Sequence, residues 1–303
     1  MEDRYVKWLA RHGHKSPSTR FKRTDDRFEI YKSNVQFIDA FNSQNHSFTL
    51  IDNKFADMTK KEFRELVMGS VKRENRNIGE RGKIILANTS RVTQSPSVDW
   101  RRNGAVGPIK DQLECGSCWA FSVVAAIESF AQISTGSMPS LSEQQLVDCD
   151  TASSGCEGGY LNKAYEYVIN TGGLTTSDDY PYIGSTAQCR GESNPAVTIN
   201  GYTTIPSLDE NELSNAVERQ PVSVVIDSSG DEFRFYNGGV YECSGCDDET
   251  DHGVAVIGYE QDYWIIKNSW GDDWGEGGYM KMLRNTCDGR GTCGITEQGY
   301  FPY

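Results

Sequence analysis

The chain has 303 residues, of which 37% are hydrophobic and 24% are charged, and this globular composition excludes wholesale disorder. Its formal net charge of −13 argues against a nucleic-acid-binding protein. We expect no membrane-spanning segment, because no apolar run approaches the ~18 residues that one needs, and the acidic start Met1–Arg4 predicts no signal peptide in this chain.

Charge and cysteine content divide the chain into two parts. Residues 1–93 carry 19 Lys/Arg and 12 Asp/Glu, a net of +7, and contain no cysteine. Residues 94–303 have a net charge of −20 and contain all nine cysteines. Because opposite charges favour association, the sequence predicts a basic segment bound to an acidic domain, either as a simple tail or as a removable, inhibitory partner.

The first part is predicted to be mainly helical, because apolar residues recur there every three or four positions. Thr59, followed three residues later by Glu62, predicts a capping box at a helix start. The predicted elements are helices over 2–11 and 25–41, an extended segment over 48–55 and a linker over 71–96.

The second part changes from a helical to a strand pattern along the chain. Residues 117–128 are apolar nearly all round, as in a buried helix, with Ser117 as a candidate N-cap. Further helical pattern covers 141–170, and strands are predicted over 222–226, 254–259, 263–267 and 278–283. This order indicates an α+β fold of two lobes, a helical lobe mainly over 104–205 and a β-rich lobe mainly over 206–299.

Residues of the second part fit nucleophilic catalysis by a thiol. Cys118 opens the buried helix, where the helix N-terminus lowers a thiol pKa, and His252 is the sole histidine after residue 93. Asn268 is a candidate to orient the imidazole. The Gln112 side-chain amide and the Cys118 backbone N–H are candidate oxyanion donors.

The cysteines leave other readings open. An odd count of nine is typical of a secreted protein with four disulfides and one free thiol. Two C-x-x-C pairs, Cys115/Cys118 and Cys243/Cys246, could instead hold zinc. Cys115 and Cys118 could also serve a thiol–disulfide oxidoreductase, which would need both thiols free.

Several motifs, in the right order, resemble papain-like cysteine proteases. Gln112–Phe121 (QLECGSCWAF) resembles the nucleophile segment of that family, and His252 and Asn268 follow Cys118 by 134 and 150 residues. The other matching segments are Leu141–Cys149, Gly155–Gly159, Asp251–Gly253 and Asn268–Gly271. The resemblance runs from about Ser97 to the C-terminus and implies a papain-like two-lobed fold over 94–303.

The resemblance implies a role for each motif residue. Cys118 would be the nucleophile and His252 the general acid/base, paired as thiolate and imidazolium and forming an acyl-enzyme. Asn268 would orient His252 under the shield of Trp270, and Gln112 would help to form the oxyanion hole. A catalytically silent relative that binds peptides is the remaining alternative, and no metal or organic cofactor is implied.

Residues 1–93 resemble the propeptide of cathepsin L-like zymogens. The helix carries the ERFNIN-type positions Arg27, Tyr31, Asn34, Ile38 and Asn42, although Arg23 stands where Glu is expected and Tyr31 where Phe is expected. The second motif, Asn53-x-Phe55-x-Asp57, has Ile51 in place of its leading Gly. The resemblance implies a helical, inhibitory prodomain that threads the cleft in the reverse direction to substrate, with the mature chain beginning near 92–97.

By the same resemblance, one pocket selects the second residue before the cleaved bond. Its lining residues would be Tyr160, Leu161, Val225, Thr250, Gly253 and Gln298. Because these are mostly apolar, we expect a preference for hydrophobic or aromatic side chains. Gly158 and Gly159 would pair with extended substrate, and Asp251 and Trp270 would border the site.

The resemblance also implies the disulfides Cys115–Cys156 and Cys149–Cys189. For the third bridge Cys246–Cys293 fits best, which predicts Cys243–Cys287 as a fourth, while the swapped pairing Cys243–Cys293 with Cys246–Cys287 stays open. Asn45 and Asn88 begin glycosylation sequons.

Partners and location follow from the zymogen hypothesis. We expect polypeptide substrates, the protein's own propeptide and cystatin-like inhibitors as partners, and a monomer bound to neither nucleic acid nor membrane. We expect the secretory pathway, with an extracellular or acidic lytic (vacuolar or lysosomal) destination. Acid pH would weaken the attraction between the two parts and trigger removal of the propeptide.

Overall fold

The computed structural model describes residues 1–13, 26–68, 70–71, 82–84, 95–191, 194–243 and 249–303. The amino-terminal segment, defined as residues 1–93, begins with two helices, α1 (Glu2–His12) and α2 (Asp26–Asn42), close to the predicted ranges. It continues with β1 (Phe48–Leu50), α3 (Lys60–Phe63), a π-helical turn (Arg64–Met68), β2 (Ser70–Val71) and β3 (Gly82–Ile84). The capping box at α3 is confirmed, since the Thr59 and Glu62 side chains each accept the other residue's backbone N–H.

The segment predicted as extended over 48–55 is a strand only at its start. After Leu50 the chain turns, because the Asn53 side-chain oxygen accepts the backbone N–H of Phe55 and Asn53 N–H bonds back to Ile51. This turn is held by the helix motif: Asn34 donates to the carbonyls of Ala56 and Met58. Tyr31, found where the family has Phe, donates to Asp52 at 2.6 Å.

The helical lobe is built around one long apolar helix. Its elements are α4 (Cys118–Thr135), α5 (Glu143–Cys149), a 3₁₀ turn (Gly155–Glu157), β5 (Gly158–Gly159) and α6 (Leu161–Thr171), and the two-residue strand β4 (Val98–Asp99) precedes it. Helix α4 is longer than predicted and ends at Gly136, whose φ of +77° favours glycine.

The expectation that no apolar run approaches membrane-spanning length was wrong for α4. Its 18 residues meet the length and hydropathy of a membrane span, because apolar residues lie on nearly all sides of the helix. However, 67% of the helix is buried inside the protein, as expected of the central helix of a globular lobe.

The second lobe is an antiparallel-rich sheet. Its elements are β6 (Tyr202–Thr204), α7 (Glu210–Val217), β7 (Val222–Ile226), α8 (Asp231–Arg234), β8 (Tyr236–Tyr241), β9 (His252–Tyr259), β10 (Tyr263–Lys267), β11 (Tyr279–Leu283), 3₁₀ turns at Cys287–Gly289 and Thr292–Gly294, and β12 (Gly299–Pro302). Among the described strands the sheet order is β1-β8-β11-β10-β9-β7-β12-β6-β3, with β4 paired to β9. The amino-terminal segment therefore supplies the strand at each end of this order.

Two hydrophobic clusters position the site between the lobes. The first joins Trp8, Phe55 and Phe63 of the amino-terminal segment to the interior of the sheet, including Phe233 and Trp270. The second lies around α4 in the helical lobe and includes Val71 of the amino-terminal segment. The segment thus shares its buried surface with both lobes, rather than forming a separate core.

Candidate active site

The thiol predicted as the nucleophile lies at the first residue of α4 and contacts the amino-terminal segment. Cys118 is fully buried and is the free cysteine of the described part of the chain. Its Sγ donates to the carbonyl oxygen of Met68 at 3.8 Å. Burial raises the pKa of the Cys118 thiol to about 12, with a backbone hydrogen bond from Gly253 opposing the shift, so the thiol is neutral in this state.

The imidazole lies on the sheet side of the cleft. His252 opens β9 and Asn268 follows β10, and the pairing of these strands brings His252 Nε2 to 2.8 Å from Asn268 Oδ1. The Trp270 ring centroid is 4.7 Å from that of His252, so the indole packs against the imidazole. Burial lowers the pKa of His252 to about 4, although the bond to Asn268 acts in the opposite direction.

The amide of Gln112 points at a backbone carbonyl of the amino-terminal segment. Gln112 Nε2 donates to the Val67 carbonyl oxygen at 2.7 Å and to the Cys115 carbonyl oxygen at 2.9 Å. The Ser269 hydroxyl donates to Gln112 Oε1 at 2.7 Å and fixes the amide. A carbonyl oxygen therefore lies where this amide can stabilise negative charge on an oxygen.

An extended piece of the amino-terminal segment occupies the groove beside the thiol. Ser70–Val71 pairs in parallel with Gly158–Gly159, and Val71 N–H bonds to the Asp251 carbonyl at 3.4 Å. Gly159 must be glycine, because a Cβ there would lie 2.5 Å from the Trp119 ring.

The predicted pocket residues are placed as follows. Leu161 and Val225 lie in one buried cluster with Val71, and Val225 N–H bonds to the Gln298 carbonyl at 3.3 Å. Tyr160 directly precedes α6, Thr250 is buried with its methyl near Gly294, and Gly253 abuts the Cys118 backbone. Asp251 accepts from the backbone and hydroxyl of Ser228, and burial raises its pKa to about 6.

The structure corrects the disulfide pairing. Cys115–Cys156 and Cys149–Cys189 are present as expected from the resemblance. Cys246–Cys293 and Cys243–Cys287 were wrong, because Cys293 is bonded to Cys243. Sequence spacing could not decide between Cys243 and Cys246 as the partner of Cys293, because they are only three residues apart. The fold decides it, since the chain after β8 lies beside the turn at Thr292–Gly294. Cys287 is disulfide-bonded, and Cys246 lies outside the described residues.

These bridges bear on the alternative functions. Cys115 and Cys243 are engaged in disulfides, so neither C-x-x-C pair offers two thiolates for zinc or for dithiol chemistry. The sequon residue Asn45 is exposed in the turn between α2 and β1, whereas Asn88 and Arg23 lie outside the described residues.

Polar contacts that the sequence analysis missed fasten the segment over the site. Arg234 is 1% exposed and donates to the Met58 carbonyl at 3.1 Å and to Asn34 Oδ1 at 3.3 Å. Lys54 Nζ lies 2.5 Å from Asp111 Oδ2 and 3.7 Å from Asp273 Oδ1. The opposite net charges of the two parts indicated attraction, but no sequence signal identified these partners.

Comparison with known proteins agrees with this geometry. The model of the papain family of cysteine proteases matches residues 94–303, and that of the cathepsin propeptide inhibitor domain matches residues 5–63. The chain belongs to the papain family of cysteine proteases. It is therefore a hydrolase with an inhibitory propeptide, and its papain-like fold is confirmed by neighbours in proform.

Plant enzymes are among the similar proteins. The chain is similar to the senescence-specific cysteine protease SAG12 of Arabidopsis thaliana, with 43% identity over 324 residues that cover 100% of this chain and 90% of that protein. Cysteine proteinase RD21A of Arabidopsis thaliana is 42% identical over 98% of this chain, which spans 65% of that protein's length. The crystal structure of the cysteine protease Amb a 11, a major ragweed pollen allergen, in its proform is 36% identical and has a TM-score of 0.87. The match covers 98% of this chain and 92% of the Amb a 11 chain.

Proposed function

We propose that the processed chain is an endopeptidase in which Cys118 attacks the scissile carbonyl and His252 transfers the proton. With the cleft uncovered, water and the helix N-terminus stabilise the thiolate, and the imidazolium beside it completes the pair. The thiolate forms an acyl-enzyme and releases the amine, which takes its proton from His252. Water, with His252 as base, then hydrolyses the thioester. Asn268 orients the imidazole throughout.

The observation that carries this proposal is the carbonyl of Val67 on the Gln112 amide. A substrate carbonyl in that position would develop its negative charge against a fixed N–H donor, 2.7 Å away in the Val67 contact. The same donor would act with the Cys118 backbone N–H in both tetrahedral intermediates.

Chain direction gives a reason why the segment is not cut at this point. Ser70–Val71 pairs in parallel with Gly158–Gly159, so a substrate running the other way would pair with the same strand antiparallel. We propose that the reversed direction keeps the segment's peptide bonds out of the orientation that attack requires, while the segment excludes water and substrate.

We propose that the second residue before the cleaved bond is hydrophobic or aromatic. Val71 shares a buried cluster with Leu161 and Val225, which supports an apolar subsite at the end of the Gly158–Gly159 strand. Cleavage of matched fluorogenic peptides with Phe, Leu or Arg at this position tests the preference. We expect Phe and Leu to exceed Arg at least tenfold in kcat/KM, and a higher value for Arg would refute it.

We propose acid pH as the trigger of propeptide removal. Carboxylates of the catalytic part hold cations of the segment, as Asp111 and Asp273 hold Lys54, and these attractions weaken when the carboxylates are protonated. Equal processing rates at pH 4 and pH 7 would contradict this trigger.

The setting of the enzyme is also a proposal. The described disulfides fit an oxidising compartment, and a strongly acidic catalytic part fits acidic surroundings, where its self-repulsion decreases. We propose that the protein enters the secretory pathway and reaches a vacuolar, lysosomal or extracellular destination. We also propose that the enzyme is a monomer, that cystatin-like inhibitors bind it, and that Asn45 and Asn88 carry glycans.

A further inference from the structure

The first described residue of the catalytic part is held at both of its backbone polar groups. The N–H of Ser95 donates to Glu218 Oε1 at 2.5 Å. The Tyr259 hydroxyl lies 2.9 Å from the same Oε1 and 3.2 Å from the Ser95 carbonyl oxygen, so it can donate to either. Ser95 itself is exposed, and the residue before it lies outside the described part of the chain.

The groups that hold Ser95 are fixed by regular structure. Glu218 is the C-cap residue of α7, and its own N–H bonds to the carbonyls of Ser214 and Ala216. Tyr259 ends β9, and its ring packs under the guanidinium of Arg284 at 4.3 Å. The backbone of Glu218 and the ring of Tyr259 are therefore held independently of Ser95, and the two residues are called the Glu218–Tyr259 clamp below.

The chain after Ser95 is anchored to the same two elements. Val98 and Asp99 pair with Tyr259 and Gly258 of β9. The indole N–H of Trp100 donates to the carbonyl of Val217, the last residue of α7, at 2.7 Å. Ser95 is thus the first described residue of a continuous attachment to α7 and β9.

Processing would change the chemistry of this contact. Hydrolysis of the bond before Ser95 adds one water, leaves a carboxylate on the preceding residue and converts the Ser95 amide N–H into an α-ammonium group. A carboxylate that accepts a hydrogen bond from a neutral amide would then pair with a cation, and charge-assisted hydrogen bonds are the stronger kind.

We propose that the Glu218–Tyr259 clamp is a binding site for the new amino terminus, and that Ser95 is the first residue of the stable processed enzyme. This proposal rests on the proposed function only in requiring that the segment is removed. A longer terminus would keep a neutral amide N–H on Glu218 rather than an ammonium group, whereas removal of Ser95 would abolish the contact. The clamp therefore selects one end point.

The charged groups around the clamp set the expected pH dependence. Glu218 faces the amino group, Tyr259 lies beside it under Arg284, and Arg219 follows Glu218 in the chain. The α-amino group has an ordinary pKa of about 7.7–8.0, and pairing with Glu218 raises it. The contribution to stability is then full below about pH 7 and is lost as the pH rises through the raised pKa.

The first test maps the processed terminus by mass spectrometry. Wild type and Glu218→Ala are held at acid pH with a mild reductant, and the reaction is stopped by alkylation of Cys118. We expect Ser95 as the dominant first residue in wild type and a spread of first residues in Glu218→Ala. A sharp, identical terminus in both proteins, or a dominant terminus other than Ser95 in wild type, would overturn the proposal.

The second test measures thermal unfolding of the processed, alkylated enzyme and of the intact chain carrying Cys118→Ala. We expect Glu218→Gln to lower the Tm of the processed enzyme by about 2 °C at pH 6 and by almost nothing at pH 9.5. In the intact chain the effect should be the same at both pH values, because an amide does not titrate. A pH-independent effect in the processed enzyme would contradict the clamp.

Failure of the proposed function is distinguishable from failure of the clamp. A chain that stays intact at acid pH refutes self-processing. The segment is then removed by limited digestion with an added protease, and the same mapping and Tm comparison are made on that product.

Discussion

Cys118 and His252 are both fully buried in the chain with its amino-terminal segment in place, and burial changes their protonation. It raises the pKa of Cys118 to about 12 and lowers that of His252 to about 4, so both are neutral over most of the intervening pH range. The predicted thiolate–imidazolium pair is therefore absent from the covered state. Because the Met68 carbonyl contacts the thiol, we infer that the propeptide acts on the protonation of Cys118 as well as on access to it.

Alkylation of Cys118 by iodoacetamide should reveal this effect. In the intact chain at pH 6 we expect a rate at least 100-fold below that of the processed enzyme, because a thiol with a pKa of about 12 is almost wholly protonated. The intact rate should rise only towards alkaline pH. Comparable rates before and after processing would contradict the inferred neutral thiol.

Gln112→Ala tests the oxyanion site. Loss of the amide donor should lower kcat of the processed enzyme about 100-fold with little change in KM, since the donor acts mainly on the transition state. Gln145→Ala, at a buried glutamine of α5 whose side chain accepts the Thr175 N–H, is the matched control and should retain kcat. A loss of similar size in both variants would indicate a structural effect only.

Among the described residues of the amino-terminal segment, the ion pair between α2 and α3 is one pH-sensitive contact. Arg27 Nη2 lies 2.6 Å from Glu62 Oε1. Burial alone would raise the pKa of Glu62, but the hydrogen bonds from Arg27 and Thr59 together lower it. Because the folded pKa is lowered, this stabilisation is present above about pH 4.3, the ordinary carboxyl value, and is lost as the pH falls through the lowered pKa.

The Glu62→Gln variant should therefore remove its propeptide faster than the wild type does at mildly acidic pH. We expect about a tenfold higher processing rate at pH 5.5 and a flatter pH dependence below pH 4.5, from loss of roughly 1.5–3 kcal/mol of charged hydrogen bonding. Glu65→Gln is the control, since Glu65 is an exposed carboxylate of the π-helical turn that follows α3. A wild-type pH profile in Glu62→Gln would exclude this pair from the trigger.

Arg234 joins α8 to the segment and is a second determinant of the covered state. Burial lowers its pKa to about 10, against the attraction of Asp231, but it stays cationic at physiological pH. Arg234→Ala leaves the Met58 carbonyl and Asn34 without this donor, which costs about 1–3 kcal/mol. In a Cys118→Ala background we expect the Tm of the intact chain to fall by several degrees, whereas exposed Arg219→Ala should leave it unchanged.

At the scale of the whole molecule, local patterns predicted most of the helices and strands, whereas the catalytic roles of Cys118, His252 and Asn268 stay a prediction. The strands over 222–226 and 263–267 match β7 and β10, because alternation and turn residues are local signals. The parallel pairing of Ser70–Val71 with Gly158–Gly159, the Arg234 contacts and the Cys243–Cys293 bridge depend on which distant surfaces meet. A local sequence pattern does not predict which distant surfaces pack together.

The charge asymmetry belongs to the same scale. A segment of net +7 covers a part of net −20, and ion pairs such as Lys54–Asp111 carry the attraction at the seam. Salt screens partly exposed pairs, with a Debye length of about 10 Å at 0.1 M falling to about 3 Å at 1 M. We expect processing at pH 5 to accelerate severalfold between 0.05 and 1 M NaCl, and a salt-independent rate would assign inhibition to apolar packing alone.

Mass spectrometry of the acidified chain tests the central claim most directly. The purified protein and its Cys118→Ala variant are held at about pH 4, near the carboxylate pKa values, with a mild reductant. The account predicts loss of the residues before a terminus within 92–97 in the wild type, and no loss in Cys118→Ala. An intact wild-type chain, or equal cleavage in both proteins, would contradict a self-processing zymogen with Cys118 as its nucleophile.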